Sequence, residues 1–183
     1  MALDAERWAR QWRRPVSWRL WLRLLLFEPG FQLAFAIRLI ELLGNLPVIG
    51  LLLRRLVWLW TTRAFACDIA IGLRAGGGLY FPHPYAIVIN GAAVLGGNVT
   101  VHQGVTIGIE SDPNPAVPVI EDDVVLGAGA CILGGITLGR GAMIGANAVV
   151  LADVPAGRVA VGVPARILGQ GKADVTPPTG DRP

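Results

Sequence analysis

A period of six residues runs through the second half of the chain and limits its fold more than any other feature. From Ile120 to Val154 every sixth residue is aliphatic. The positions that carry this period are Ile120, Leu126, Ile132, Leu138, Ile144 and Val150. An α-helix repeats its apolar face about every 3.6 residues and a single strand about every two, so neither explains the spacing. The pattern is typical of a parallel β-helix, in which each six residues form a short strand and a turn.

The same period begins near Ile69 and is interrupted twice. The earlier registers are Ile69, Ala75 and Phe81, followed by Ile89, Leu95, Val101 and Ile107. Two extra residues lie between Pro82 and Val88, and we expect the coil to widen there, as a strand does at a β-bulge. The longer step from Ile107 to Ile120 predicts a loop over residues 109–119, stiffened by prolines that do not fit a strand interior. Long loops on a regular scaffold commonly carry function.

Residues 1–66 have a different character and are predicted to be helical. We expect helices over 4–27, with an interruption at Pro15, and over 31–43 and 48–66. Residues 1–63 hold ten arginines against four acidic residues, a net charge of +6, whereas the remainder has a net charge of −3. A basic, Trp-rich amphipathic segment is typical of a helix that lies in a membrane interface. A helical cap packed on the β-helix or on sister subunits is the alternative, and the sequence does not choose between them.

Charge and cysteine content narrow the other possibilities. The arginines favour an acidic surface such as lipid headgroups, and we expect no nucleic acid partner because no known binding motif accompanies the charge. Cys67 and Cys131 lack metal-ligand spacing and suit a reducing compartment. No signal-peptide pattern is recognised. We therefore expect a cytoplasmic protein, peripheral on the inner face of the plasma membrane if the helices bind lipid. The expected domains are a helical region 1–66, a β-helix 67–168 with a last strand within 161–168, and a disordered tail 169–183.

From about Glu28 to Leu168 the sequence resembles the hexapeptide-repeat acyltransferases, and within them the serine acetyltransferase family. The motifs that carry this resemblance are GVTIG at 104–108, LGAGACILG at 126–134, IGANAVV at 144–150 and VGVPAR at 161–166. The segment FPHPYAIVIN at 81–90 looks closer still to the exopolysaccharide branch typified by the colanic acid acetyltransferases. The resemblance implies a mainly β fold with a left-handed parallel β-helix, a homotrimer, and acetyl-CoA bound between neighbouring subunits.

The chain contains two histidines that could serve acetyl transfer. Moving an acetyl group from a thioester to a hydroxyl requires a base for the alcohol proton, and histidine is the side chain whose pKa lies nearest neutrality. His83 lies in the widened coil and matches the base of the family. Asp68, fifteen residues earlier, matches an active-site aspartate that would orient the imidazole. For Asp68, a cap where the helix meets the first coil is the alternative.

Further residues are assigned around this pair. His102 lies outside the core on the neighbouring coil, and we assign it with Tyr85 to the acceptor side, although a plain surface role is the alternative for His102. By the resemblance, Ala128 and Ala146 flank the pantetheine arm of CoA, Gly108 belongs to the same binding site, and Arg166 lies near the phosphate end. We expect no metal. The resemblance implies direct transfer, and Cys131 is not a convincing nucleophile because it has no base near it in the sequence.

The sequence departs from the serine enzymes at three places. Their Arg-His pair before Pro118 is Ala116-Val117, the residue before the catalytic histidine is Pro82, and an Asp-Pro in the helical region is Arg14-Pro15. Those groups would hold the charges of serine, and a site that pairs charges discriminates strongly when they are lost. We therefore expect the acceptor hydroxyl to belong to a sugar of an exopolysaccharide precursor. Serine acetylation and a non-catalytic trimeric scaffold on a membrane are the alternatives.

Overall fold

The computed structural model describes residues 1–110 and 115–170, with side chains described as far as Leu168. Four helices come first: α1 Ala2–Gln11, α2 Trp18–Phe27, α3 Pro29–Leu43 and α4 Ile49–Phe65. The first predicted helix is thus two helices, because Pro15 cannot continue α1 and the Ser17 hydroxyl accepts a hydrogen bond from the Leu20 amide (3.3 Å) to begin α2. Pro29 occupies the first turn of α3, where its missing N–H costs nothing.

Fourteen short strands follow in the described part of the chain. They are β1 Asp68–Ile69, β2 Arg74–Ala75, β3 Val88–Ile89, β4 Val94–Leu95, β5 Thr100–Val101, β6 Thr106–Gly108, β7 Val119–Ile120, β8 Val125–Leu126, β9 Cys131–Leu133, β10 Thr137–Leu138, β11 Met143–Ile144, β12 Val149–Val150, β13 Arg158–Val161 and β14 Arg166–Gln170. Successive strands fall into three sheets with orders β1-β3-β6-β9-β12, β2-β4-β7-β10 and β5-β8-β11-β13-β14. The chain therefore winds around a three-sided prism, and the predicted left-handed parallel β-helix is confirmed.

The six-residue period fills the interior of this prism. Equivalent aliphatic residues are in direct register between coils: Ile89 pairs with Ile107, which pairs with Ile132, which pairs with Val150. Ile107 and Ile132 are completely buried. The fifth position of each repeat is buried as well, and there the residue is often alanine, as at Ala142 and Ala148. Burying each large aliphatic side chain stabilises the fold by about 1.5–3 kcal/mol, so the stack is the main source of stability.

Both interruptions of the period leave the coil without disturbing this stack. Ile89 returns to register above Ile69 after the widened segment 82–87, which contains the two extra residues. The backbone of Ala86 adopts a positive φ of 54° there. Of the loop predicted at 109–119, residues 111–114 lie outside the described residues, so its prolines are described only in part.

The C-terminal end differs from the single strand predicted within 161–168. β13 and β14 form an antiparallel hairpin, with Val161 paired to Arg166 and Ala160 paired to Ile167. The turn lies at Gly162–Pro164, where Gly162 has φ 98° and proline has no amide to donate to a ladder. β14 therefore forms the edge of the third sheet, next to β13. Most of the predicted tail, residues 171–183, lies outside the described residues.

The helical segment is fixed to the first coil through α1 and α3. Asp4 is buried and accepts hydrogen bonds from the amides of Gly78 (2.8 Å) and Leu79 (2.9 Å). The Arg38 guanidinium donates to the same carboxylate at 3.1 and 3.2 Å and also donates to the carbonyls of Ala75 and Gly76. A buried carboxylate and a nearly buried guanidinium therefore join two helices to the turn that leads towards His83.

Apolar packing strengthens this attachment. Leu33 and Ile37 of α3 and Phe65 of α4 belong to the β-helix core, while Trp8, Leu24 and others form a second small core among the helices. Within the described residues, no single helix is both long and apolar enough to cross a membrane. Taken together, α2 and α3 are long and apolar enough by length and composition, but the two helices are bent by 97° where they meet.

Candidate active site

Most of the predicted site residues follow one corner of the prism. This corner, hereafter the His corner, lies between the third and the first sheet and comprises residues 82–87, 102–105, 127–130 and 145–148. Its coils are joined by a ladder of backbone hydrogen bonds in which His102 N donates to Leu126 O (3.1 Å), Gly127 N to Ile144 O (2.8 Å) and Gly145 N to Ala160 O (2.8 Å). Side chains at equivalent places in successive coils therefore stack in columns along the axis.

His83 stands at the first coil of this corner. Phe81 points inward and is completely buried, whereas His83 itself is exposed. The turn is tight, because the Tyr85 amide donates to the His83 carbonyl at 2.9 Å. The amide of Ala86 donates to the Phe65 carbonyl of α4 (3.2 Å), so the end of the last helix supports the widened coil. The widened segment thus places the His83 imidazole outside the β-helix wall, and its hydrogen bonds fix the His83 backbone.

Cys67 fixes the same segment from inside, a role that the sequence did not reveal. Its thiol is buried, lies 3.2 Å from the Pro84 carbonyl and accepts from the Ile87 amide at 3.4 Å. Burial raises the pKa of the Cys67 thiol, and the Ile87 amide only partly opposes this. The group is therefore a neutral hydrogen-bond donor and not a nucleophile. The hydrogen bonds of the Cys67 thiol to Pro84 and Ile87 connect both ends of the turn that carries His83 to the start of the first coil.

His102 lies on the next coil and interacts electrostatically with His83. The backbones of the two coils are joined where Tyr80 pairs with Thr100. Burial lowers the pKa of His102, and the neighbouring charge of His83 lowers it further. His102 is half-buried. At neutral pH it is therefore a neutral imidazole that can exchange hydrogen bonds with a ligand.

Asp68 and Tyr85 have different positions around His83. Asp68 is exposed at the start of β1, and its amide donates to Ile87 O (2.9 Å) at the end of the widened segment. Among the described residues the structure records no hydrogen bond or ion pair between the side chains of Asp68 and His83. The orienting role of Asp68 stays a prediction. The Tyr85 ring is 49% exposed and lies against Phe65, with 6.3 Å between ring centroids.

The residues assigned to CoA continue the His corner away from His83. Ala128 and Ala146 occupy equivalent turn positions, and the Asn147 amide donates to the Ala128 carbonyl (2.8 Å). Val161 follows them on the last coil, and Arg166 is its partner on β14. Four strand spacings separate the coil of His83 from Val161, and Arg166 on β14 lies one spacing further. At about 4.8 Å per spacing these separations are roughly 19 and 24 Å. The corner thus offers small side chains along a line that has an imidazole at one end and a guanidinium at the other.

Gly108 is the exception among the assigned residues. It ends β6 on the first sheet, in register with Leu133, where a shallow depression also contains Asp68 and Val88. An added Cβ at Gly108 would meet no atom within 4 Å, so the surface there is open. In one subunit Gly108 does not join the line of Ala128 and Ala146.

Two charged residues near the His corner were missed by the sequence reasoning. Arg7 of α1 donates to the Thr100 hydroxyl at 3.3 Å, two residues before His102. Burial raises the pKa of the Tyr80 hydroxyl, the Arg7 charge opposes this shift and the Glu28 charge adds to it. Both charges therefore lie near Tyr80. Burial also raises the pKa of Glu28 itself, against the opposing charge of Arg23. Only the folded packing of α1 and α3 on the coil reveals this grouping.

The comparisons with known proteins agree with this geometry. The family model "Bacterial transferase hexapeptide (six repeats)" matches residues 118–152. A serine acetyltransferase of Synechococcus elongatus is 37% identical over 159 residues, which are 85% of this chain and 64% of the relative. The structure resembles soybean serine acetyltransferase complexed with serine, with a TM-score of 0.76, 38% identity, and coverage of 91% of this chain and 67% of that one. It also resembles a serine acetyltransferase in complex with CoA, with a TM-score of 0.77, 34% identity, and coverage of 91% and 67%.

These similarities correct the prediction about the acceptor. Relatives of this identity are named for serine, so the expected sugar acceptor is wrong, and the assignment to the exopolysaccharide branch is not supported. That expectation gave too much weight to the charged groups missing at Arg14, Pro82 and Ala116-Val117, although other charged side chains lie near the same corner. The chain spans about two thirds of the length of these relatives. From the repeat, the fold and the extent of similarity, the chain belongs to the hexapeptide-repeat acyltransferases, the family that includes the serine acetyltransferases.

Proposed function

We propose that this protein transfers the acetyl group of acetyl-CoA to the hydroxyl of free serine. The observation that supports this most is the line along the His corner, from an exposed imidazole past two alanines to Arg166. A long, narrow ligand with a thioester at one end and phosphates at the other fits such a line. The structural similarity to proteins solved with CoA and with serine supports the same reading.

His83 is the general base of this reaction. Its neutral imidazole takes the proton of the serine hydroxyl while the oxygen attacks the thioester carbonyl carbon. The tetrahedral intermediate then collapses, the C–S bond breaks, and the imidazolium returns the proton to the departing CoA sulfur. His102 is the weaker base for this proton, because burial holds its pKa below the ordinary value and the charge that His83 gains in the reaction lowers it further. Asp68 is a positioning residue, whose carboxylate orients the imidazole once the site is assembled.

A homotrimer completes the site in this proposal. The His corner and the depression with Gly108 and Asp68 lie on different parts of the prism surface. A ligand that contacts both sets is bound between neighbouring subunits, with the His corner of one against the first sheet of the other. Cyclic assemblies make such heterologous contacts and close on themselves.

The charges of serine are met by Arg7 and Glu28 in place of the groups that the sequence lacks. An α-carboxylate pairs with a guanidinium through charge-assisted hydrogen bonds, and an ammonium group pairs with a carboxylate. Arg7 is tied to Thr100, and both charges lie beside Tyr80, three residues before His83. We therefore assign these two residues to serine specificity.

Thiol release from acetyl-CoA in the presence of serine, with mass spectrometry of the product, tests the proposal. We expect O-acetylserine, and a His83→Asn variant slower by roughly 10²-fold or more with an unchanged circular dichroism spectrum. Arg7→Gln and Glu28→Gln should raise KM for serine and leave KM for acetyl-CoA unchanged. Turnover without serine dependence would refute the acceptor, and an unaffected His83→Asn variant would refute the base.

A further inference from the structure

Helix α4 presents a stripe of apolar side chains to solvent. Ile49, Leu52, Leu53, Leu56 and Trp60 recur at helical spacing, and they are 67, 62, 37, 52 and 49% exposed. The same helix buries only Gly50, Thr61 and Phe65 of its seventeen residues. A surface helix of a globular protein normally turns its apolar side inward. The stripe of α4 points the other way and leaves a large apolar area uncovered.

Helix α2 continues this surface. Trp18, Leu22 and Leu26 are spaced four residues apart and are 70, 50 and 58% exposed. An apolar groove between the helices is lined by Leu25 of α2, Phe35 and Leu39 of α3, and Leu56 and Trp60 of α4. The groove shares Leu56 and Trp60 with the α4 stripe. The stripes of α2 and α4 and the groove between them are hereafter called the apolar face.

The charged residues of α2 and α4 are all of one sign. Helices α2 and α4 contain five arginines and no acidic residue. Arg55 and Arg63 are exposed beside the α4 stripe. The Arg19 guanidinium lies 5.5 Å from the Trp18 ring centroid, and the Arg23 guanidinium lies 5.1 Å from that of Trp12. Aromatic rings beside guanidinium groups are the arrangement that favours the boundary between headgroups and acyl chains.

This charge decides between a second copy and a lipid surface as the occupant. In a twofold contact the same patch lies on both partners, so the arginines of α2 and α4 would face one another without acidic partners from these helices. Like charges facing each other across an interface suppress association. An anionic membrane surface instead attracts each nearby arginine by about 1 kcal/mol and accepts the apolar side chains between them.

We propose that the apolar face is a membrane-docking surface, with α2 and α4 lying in the interface of an anionic bilayer. The proposal does not depend on the acetyl transfer, since the His corner is not used in it. Docking would bring the acetylation site close to a lipid surface without inserting the β-helix.

Flotation of the whole chain with vesicles of phosphatidylcholine alone or mixed with phosphatidylglycerol tests this proposal. We expect binding to the mixed vesicles that weakens at high salt, because part of the attraction is screened. Leu52→Glu combined with Leu56→Glu should abolish binding, since both side chains are already exposed and the fold does not depend on them. Arg55→Gln with Arg63→Gln should lower the partition coefficient roughly tenfold or more.

The matched control is Leu151→Glu with Ile167→Glu on the β-helix, which changes the net charge by the same amount at residues that are 43 and 49% exposed. It should bind vesicles like the parent or nearly so. Failure of the parent to bind either vesicle, or equal loss in both Glu double variants, would overturn the proposal. Light scattering without lipid gives a further check. A larger assembly in the parent than in the Leu52→Glu/Leu56→Glu variant would overturn the proposal, because a second copy would then cover the apolar face.

Discussion

Replacing Asp4 with alanine should detach the helical segment from the β-helix. The carboxylate is 2% exposed and accepts two hydrogen bonds from the backbone of Gly78 and Leu79 and two from Arg38. It also pairs with the N-terminal ammonium of Met1 at 2.9 Å, a contact that is 37% exposed on the ammonium side. Its removal leaves two buried amides without a partner and a guanidinium with only 10% of its side chain exposed without its main counter-ion. Breaking a buried ion pair on one side typically costs about 3–5 kcal/mol.

Two other variants check that the cost arises from this buried contact. Asp4→Asn keeps an oxygen for the amides of Gly78 and Leu79 but loses the charge, so it should cost about 1–3 kcal/mol. Glu41 contacts the same guanidinium at 3.3 Å but is 38% exposed, and Glu41→Ala should cost about 0–1 kcal/mol. We therefore expect Asp4→Ala to be the most destabilising variant, followed by Asp4→Asn and then by Glu41→Ala.

The tryptophans provide a selective assay. All six lie between residues 8 and 60, so intrinsic fluorescence reports on the helical segment and not on the β-helix. Urea unfolding followed by fluorescence should shift to a lower midpoint in Asp4→Ala, while the β-sheet signal in circular dichroism shifts less. A loss below about 1 kcal/mol, or equal losses for Asp4→Ala and Glu41→Ala, would refute the role assigned to this contact.

The pH dependence of the same contact has a definite sign. Burial alone would raise the pKa of Asp4, but Arg38, the N-terminal ammonium of Met1 and the Leu79 amide together outweigh it and hold the pKa below its ordinary value near 3.8. The contact therefore stabilises the fold fully above that ordinary value. Its contribution is lost as the pH falls below about 3.8 towards the lower pKa of the folded state. In Asp4→Asn this acid-dependent loss should be absent.

Three further predictions concern the site and its support. Ala146→Trp should abolish CoA binding in isothermal titration and leave the assembly size in light scattering unchanged; binding at the parent affinity would contradict the assignment of the His corner to CoA. Gly30→Ala would place a Cβ against the Phe81 carbonyl oxygen and should lower the free energy of unfolding in urea by about 1–3 kcal/mol, whereas Gly108→Ala, with no atom within 4 Å, should not. Equal urea midpoints for the two variants would contradict the close contact at Gly30. Burial, and then His83, lower the pKa of His102, so the folded state loses stability as the pH drops below 6.5. In His102→Gln the free energy of unfolding should therefore depend less on pH between about pH 5 and 7. An unchanged pH dependence would contradict the burial of His102.

The fold could be predicted from the sequence because one local rule repeats. Each coil places an aliphatic residue such as Ile132 or Leu138 inward and a small residue at the fifth position, so a strict period determines both the strand and its register. The widened coil at 82–87 was predictable for the same reason, because any extra residue breaks the period visibly.

The charged residues around the candidate site could not be predicted from the six-residue period. Arg7 and Glu28 approach Tyr80 only through the packing of α1 and α3, which no short-range pattern encodes. The acceptor prediction was wrong because missing charges can be seen in a sequence, whereas replacement charges from a distant helix cannot. The C-terminal hairpin was missed because Val161 to Leu168 fits the apolar composition of one strand, and the turn at Gly162–Pro164 is decided by its backbone.

The stacked coils of the His corner also act as a ruler. The separation between His83 and Arg166 is a whole number of coil spacings, so it can change only in steps of about 4.8 Å. Duplicating one coil, such as residues 126–143, would add a step without altering either end. In a natural or engineered chain of this architecture, the number of coils therefore sets the length of ligand that fits between the two ends, independently of the chemistry at those ends.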